Sequence, residues 1–404
     1  MKVIIVGAGP SGLLLGLLLA KQGVTVQVLE ASDQLDNQPR ACHYSHPTAI
    51  ELERAGVLNE IHVDGFCPRG VAWRKKDGSF IAGMEHKDRT AEYYDYRMVC
   101  LPLGEMIKII LKHLEKQPTA EIKMLHRVAN VGQDDKKGWV QVQTPNGEEA
   151  FEADYIVGCD GANSQVRRSL FGDKGFPGWS WDKQIVATNV YYPFEKFGYW
   201  DANFTVHPTD WYMAAKITKD GLWRVTYGDE PGLTREQYIE RQPMRFEQLL
   251  PGQPKQTDYK IVNISPYKMH QRCAPKLRLG RILLAADAAH LCNPFGGLGL
   301  TGGIADIGGL YECLAGIHRG QADESILDKY DEIRRERYKN FVDPISTANF
   351  KRLWDQDPDK ASENDEFFKV VQKAATDKEF AKEFQRGMLQ IRHDFTQYYT
   401  KSLL

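Results

Sequence analysis

Residues 1–30 read MKVIIVGAGPSGLLLGLLLAKQGVTVQVLE, and their order decides the fold. Val3-Ile4-Ile5-Val6 is a short apolar run rich in β-branched residues, the composition of a parallel strand buried on both faces. Gly7-Ala8-Gly9-Pro10-Ser11-Gly12 follows at once. In a G-x-G-x-x-G turn the first glycine permits the tight turn and the second lets a pyrophosphate approach the backbone. The third lets the next helix pack close to the strand. Residues 13–21 predict that helix, whose free N–H groups and dipole favour negative charge at its start. Gly23 suits its end. Val24, Val26 and Val28 alternate as a second strand. Glu30 closes it, placed to accept hydrogen bonds from a ribose hydroxyl. Strand, glycine turn, helix, strand and acid together predict a dinucleotide-binding unit, with Gly7, Gly9, Ser11, Gly12 and Glu30 as its contacts. The uncharged run from Val3 to Ala20 is about long enough to span a bilayer. Glycines and a proline interrupt it, and a strand follows within a few residues, so neither a membrane span nor a secretory leader is expected.

A chain of 404 residues exceeds one simple core, which predicts two or three subdomains. Hydrophobic residues make up 42% and charged residues 26%, ordinary for a globular protein. A net charge of -2 gives no basis for nucleic-acid or membrane-surface binding. The seven cysteines are scattered and form no C-x-x-C pair, which predicts reduced thiols, a cytoplasmic setting and no metal framework.

Outward from the first unit, 47–58 and 103–114 predict helices, and 73–84 a hairpin about Asp77-Gly78. Residues 122–131, 139–143 and 151–157 read as strands. The last runs into Gly158-Cys159-Asp160-Gly161, followed by Arg167. Residues 176–227 are crowded with Trp, Tyr and Phe and alternate at a period of two over 184–190, 211–217 and 223–227, which predicts a largely antiparallel sheet. Residues 282–286 return to a buried strand. Asp287-Ala288-Ala289-His290 and then Asn293-Pro294-Phe295-Gly296-Gly297-Leu298-Gly299-Leu300-Thr301 follow, opening a helix. From about Ser325 the chain reads as charged amphipathic helices whose charges form a solvated face.

Three glycine-and-acid stretches thus stand in order: the first turn with Glu30, Asp160-Gly161 to Arg167, and Asp287 to Gly303. This ordered set resembles the flavoprotein aromatic hydroxylases, the single-component FAD monooxygenases related to p-hydroxybenzoate hydroxylase and phenol hydroxylase. The likeness covers residues 1–320, its aromatic middle matching in character. It implies an α/β (α+β overall) fold: a Rossmann-like FAD-binding domain with an inserted, mostly antiparallel β-sheet substrate domain and C-terminal helices. The expected division is 1–72, 97–175 and 270–325 for FAD, 73–96 and 176–269 for substrate, and 326–404 for the helical region. By resemblance, Asp287, Gly297, Gly299, Leu300 and Thr301 contact the flavin, and the Pro294 carbonyl lies against the substrate. Asp160 serves FAD and NAD(P)H passage, and Arg167 carries a phosphate role. Arg40 lies between adenine dinucleotide and flavin, and Val128 makes a backbone contact to adenine. Three positions depart from the family pattern: Ala286 stands for Gly, Thr301 for Asn, and Leu101 for a phosphate-binding Gln, with Arg97 as the substitute for that last role.

The implied reaction is reduction of FAD by NAD(P)H, capture of O2 as a C4a-hydroperoxyflavin, and hydroxylation of a phenolic, polycyclic or indolic small molecule. The density of aromatic residues points to a flat ligand. His207, Tyr212, Arg224 and Tyr227 are candidates for activating it, with His43 and His46 as outside candidates. His290 reads as structural. The alternatives are a flavin-dependent halogenase (Trp179-Ser180-Trp181 starts its signature but the rest is absent), a prenyl-chain reductase, or a flavin-bearing interaction protein. The expected assembly is a monomer or homodimer with no membrane or nucleic-acid partner.

Overall fold

Lys2–Val6 lies at the middle of a six-stranded sheet, parallel to Thr25–Leu29 on one side and Tyr155–Gly158 on the other. Val3, Ile4 and Ile5 are fully buried, as an apolar strand covered on both faces must be. Ile282–Leu284 and the antiparallel Arg278–Leu279 extend one edge, and Ala120–Lys123 closes the other. The helices Pro10–Ala20, Leu103–Leu114 and Leu298–His318 pack together over the sheet. Gly12 sets how closely the first helix can approach, because a Cβ there would overlap the Gly7 carbonyl oxygen. This computed structural model describes residues 1–35, 42–85 and 98–400.

Two of the expected strands are each two. The run 122–131 breaks at Leu125, whose φ of 59° turns Ala120–Lys123 into the first sheet and Arg127–Gln133 into a separate three-stranded meander. The run 151–157 breaks at Asp154, whose carboxylate accepts from the Lys2 amide at 2.7 Å. Gly147–Ala153 therefore belongs to the meander and Tyr155–Gly158 to the first sheet. Propensity was right at these residues, but side-chain alternation carries no information about which sheet a strand joins.

The aromatic region forms an eight-stranded, mostly antiparallel sheet. Its order is His290–Leu291, Lys260–Cys273, Gly178–Tyr191, Leu222–Asp229, Tyr212–Lys216, Ala202–Val206, Gly70–Lys75 and Phe80–Glu85. The last two make the hairpin expected about Gly78. Its outer face is covered by the helix Arg235–Leu249, which the sequence analysis did not anticipate. Thr234 and Gln237 close a capping box at its start, satisfying two backbone donors reciprocally. The C-terminal helices are not merely solvated. Phe350, Leu353, Phe368 and Val371 pack with Trp73, Trp211 and Phe295 beside the sheet.

Candidate active site

A cavity of about 2040 Å³ runs from the glycine turn, along the inner face of the eight-stranded sheet, to the C-terminal helices. Gly7, Gly9, Ser11, Glu30, Val128, Asp160, Asp287, Pro294, Gly297, Gly299, Leu300, Thr301 and Arg224 all line it. Arg40 and Arg97 lie outside the described residues.

Each end of this cleft is built by local backbone demands. Gly7 has φ 103° and abuts the Cys159 carbonyl, so only glycine fits the turn. Gly9 caps the first helix with no side-chain bond of its own, and a Cβ on it would meet no protein atom within 4 Å. The Glu30 carboxylate accepts from the Ala8 amide at 2.8 Å and the Ser32 amide at 2.9 Å. It thus braces the glycine turn and keeps lone pairs toward the cavity, since a carboxylate offers about four acceptor sites.

At the opposite end Gly297 (φ 67°) opens the helix Leu298–His318, again with no side-chain cap. Thr301 Oγ1 returns to the Gly297 carbonyl at 2.9 Å and meets Ser45 Oγ at 2.9 Å, so the residue standing in the Asn position ties that turn to its neighbour.

Asp287 sits beside a strained residue. Ala286 has φ 57°, a left-handed conformation that costs an L-residue about 1–2 kcal/mol. Its amide donates to the buried Asp306 carboxylate at 2.9 Å, which also takes His290 Nε2 at 2.7 Å and Arg334 Nε at 2.6 Å. Asp306 and Arg334 escaped the sequence analysis, although Asp306 is the lone charge in the run 298–310. We expect Ala286→Gly to raise stability by about 0.5–1 kcal/mol, strain relief offset in part by unfolded-state entropy. Thermal unfolding of the two proteins measures it, and a lower midpoint in the variant would show that the turn stores no strain.

The Asp160 stretch is held by local bonds. Asp160 takes Ser164 Oγ and the Gln165 and Val166 amides, capping the helix Gln165–Phe171 while facing the cavity. Burial pushes its carboxyl above the usual range against those bonds. Arg167 is buried rather than solvated and is not among the cavity-lining residues. It donates to the Ala288 and Ala162 carbonyls at 2.9 and 2.7 Å and stacks on Phe176, and burial pushes it down to about 10.

The sheet register sorts the activation candidates. Tyr212 pairs with Tyr227, and Ala215 with Arg224. Directly opposed residues share a face, so Tyr212, Ala214, Trp223, Val225 and Tyr227 point together, under the helix Arg235–Leu249. Tyr212 spends its hydroxyl on Tyr199 at 2.7 Å, and Tyr227 stacks edge-on against Phe246. His207 caps a turn, its Nδ1 accepting from the Thr209 and Asp210 amides. None of Tyr212, Tyr227 and His207 lines the cavity: the helix claims the face of the two tyrosines, and the turn holds the histidine. Met213, Ala215, Thr226 and Arg224 line it instead, with Ala187, Asn189 and Phe204. Arg224 Nε donates to Asn189 Oδ1 at 3.2 Å. Tyr192, Phe194, Tyr199, Tyr212, Trp223 and Tyr227, part of the aromatic density that pointed to a polycyclic ligand, are therefore core beneath the sheet and not cavity lining.

The family description "FAD binding domain" matches residues 1–344. The chain belongs to this family of FAD-binding proteins. Para-nitrophenol 4-monooxygenase of a Pseudomonas species is 38% identical over 382 residues, 95% of this chain and 94% of the relative. 6-Hydroxy-3-succinoylpyridine 3-monooxygenase of Pseudomonas putida is 36% identical, covering 88% of this chain and 90% of the relative. The crystal structure of p-nitrophenol 4-monooxygenase from Pseudomonas putida superposes with a TM-score of 0.89 at 36% identity, over 99% of this chain and 98% of that one. The single-component FAD aromatic hydroxylases are thus its relatives, and the chain is an FAD-dependent monooxygenase. The cleft fits that cofactor. Gly9 leaves open space where a pyrophosphate must approach, two uncapped helix starts face the cavity, and carboxylates stand at both ends. All seven cysteines are free, and no helix among the described residues is long and apolar enough to cross a membrane.

Proposed function

We propose that the chain uses NAD(P)H and O2 to hydroxylate a small phenol, p-nitrophenol being the first to test. One observation carries this reading: a single cavity joins the flavin cradle to a sheet face that carries Arg224. FAD, when bound and reduced by NAD(P)H, supplies activation of dioxygen and delivery of one oxygen atom.

The chain supplies the rest. Glu30 holds the ribose, Val128 meets the adenine, and Asp287 anchors the ribityl chain. The amides of Gly297–Thr301, at a helix start, stabilise negative charge on the reduced ring. Phe204 and Met213 offer apolar contact to a substrate ring, and the Pro294 carbonyl limits where it can lie. Arg224 sets a positive charge beside the ring oxygen, favouring the phenolate, which is the more electron-rich and reactive form. The C-terminal helices close the cavity's far side with Phe367 and Phe384 and keep water from the reacting atoms. We place the enzyme in the cytoplasm, as a monomer or homodimer.

The test is a panel of phenols, aminophenols and polycyclic aromatics, scored for stimulated NAD(P)H consumption with oxygen uptake. Stimulation by small phenols is expected, and a panel with no stimulating member would remove the hydroxylase reading.

A further inference from the structure

Cys42 and His43 line the same cavity as Arg224, and the roles given above leave both unused. The backbone that carries them is fixed. His43–Tyr44 pairs antiparallel with Val99–Cys100, and the buried Tyr44 hydroxyl donates to the Leu101 carbonyl at 2.7 Å. Cys42 Sγ stands 3.1 Å from His43 Nδ1, and Cys42, His43 and Cys100 bring their donor atoms within 4.8 Å of one another. The other ring nitrogen, Nε2, is buried and has no hydrogen-bond partner. A buried polar atom left unpartnered is costly, a cost that a ligand atom at this position would relieve.

We propose that His43 Nε2 takes the phenolic proton of the substrate and then holds the phenolate, with Cys42 as the residue that positions the ring. This rests on the hydroxylase reading. With Nδ1 carrying its proton toward the Cys42 sulfur, Nε2 presents a lone pair. The substrate O–H bond breaks, its electron pair stays on oxygen, and the proton forms the Nε2–H bond of an imidazolium. That N–H then donates to the phenolate. The new positive charge is supported by Cys42, and the new negative charge by Arg224. Among the described residues, Cys42 beside it, Arg224 on the large sheet and Asp201 at that sheet's margin act on His43, and Cys100 on the paired strand acts on Cys42. Burial alone would lower His43, but the Cys42 sulfur and Asp201 outweigh it and leave the imidazole above its ordinary value. The hydrogen bond from Cys100, against burial and with help from His43 and Arg224, holds Cys42 well below the usual thiol range. A raised imidazole is the stronger base toward the phenol, and the imidazolium it becomes stands beside the phenolate.

The test uses FAD-loaded enzyme and p-nitrophenol, whose phenolate band is visible. In the parent the bound probe should ionise at lower pH than the free probe. In His43→Asn, which keeps a polar atom facing Cys42 and removes Nε2, the bound probe should ionise no more readily than in solution. kcat/KM should fall on the order of tenfold to hundredfold below the probe's own pKa and by less than about twofold above it, where the substrate arrives already ionised. His43→Gln is held to the same expectation and serves if the Asn variant does not fold. Unchanged ionisation of the bound probe in a folded variant, or an equal loss of kcat/KM at every pH, overturns the proposal. A probe that binds the parent but ionises as in solution overturns it too, while leaving the hydroxylase reading standing. A probe that neither binds the parent nor stimulates NAD(P)H oxidation overturns both.

Discussion

Asp306→Ala should cost the fold about 3–5 kcal/mol, the penalty for stranding buried charge partners, and should strip the protein of most of its flavin. Arg334 is 1% exposed and donates to Asp306, to the Ile391 carbonyl and to the Gly302 carbonyl. Removing the carboxylate leaves that guanidinium and His290 without their anion in the core. It also releases the Ala286 amide, and with it the strained turn that presents Asp287. Burial would raise the Asp306 carboxyl, but His290 and Arg334 hold it at about 2. A folded value below the unfolded carboxylate value of about 3.9 means the ion contributes stability that is complete above about pH 4 and lost as the pH falls toward 2. Denaturant unfolding of the parent and Asp306→Asn should therefore show a stability gap that narrows over that window. A gap independent of pH would mean the carboxylate's charge is not what binds this network.

Gly9→Leu should give a folded protein that binds no FAD. Gly9 has φ −74° and ψ −179°, extended backbone that any residue adopts, and a Cβ there meets no protein atom within 4 Å. The substitution should cost the apoprotein no more than about 1 kcal/mol, the loss of glycine at a helix N-cap. The new side chain would fill the space in front of the helix start, where a pyrophosphate must come close. Flavin absorbance of the purified variant, with thermal unfolding of both apoproteins, measures the two effects separately. A variant that keeps parental flavin content would move the dinucleotide away from this turn. Gly7 offers no such separation, because its φ of 103° makes any replacement a folding defect as well.

What was legible in the chain follows from how local each signal is. Val3 to Val6, the glycines and Glu30 determine a βαβ unit through contacts within about thirty residues, and the structure places them as read. The choice between Tyr212 and Met213 as cavity residues was not local. It depended on which face of the sheet a helix covers, and a strand shifted by one residue exchanges its faces. That helix was announced by Thr234 and Gln237 at capping-box spacing, a signal passed over because the surrounding strands alternate so clearly. Arg167 depended on Phe176 and Ala288, which nothing in its neighbourhood specifies. The unpartnered Nε2 of His43 is likewise a property of packing, invisible until the strand pair around it is assembled.

In the proposed function, one cavity holds FAD and a phenol so that an atom of dioxygen reaches the ring. Incubating the FAD-loaded protein with NAD(P)H, the phenol that best stimulates it and isotopically labelled dioxygen tests this most directly. A hydroxylated ring carrying a single labelled oxygen atom, formed in step with NAD(P)H consumption, is expected. NAD(P)H consumption that yields hydrogen peroxide and an unaltered ring, or a product whose new oxygen comes from water, would contradict it.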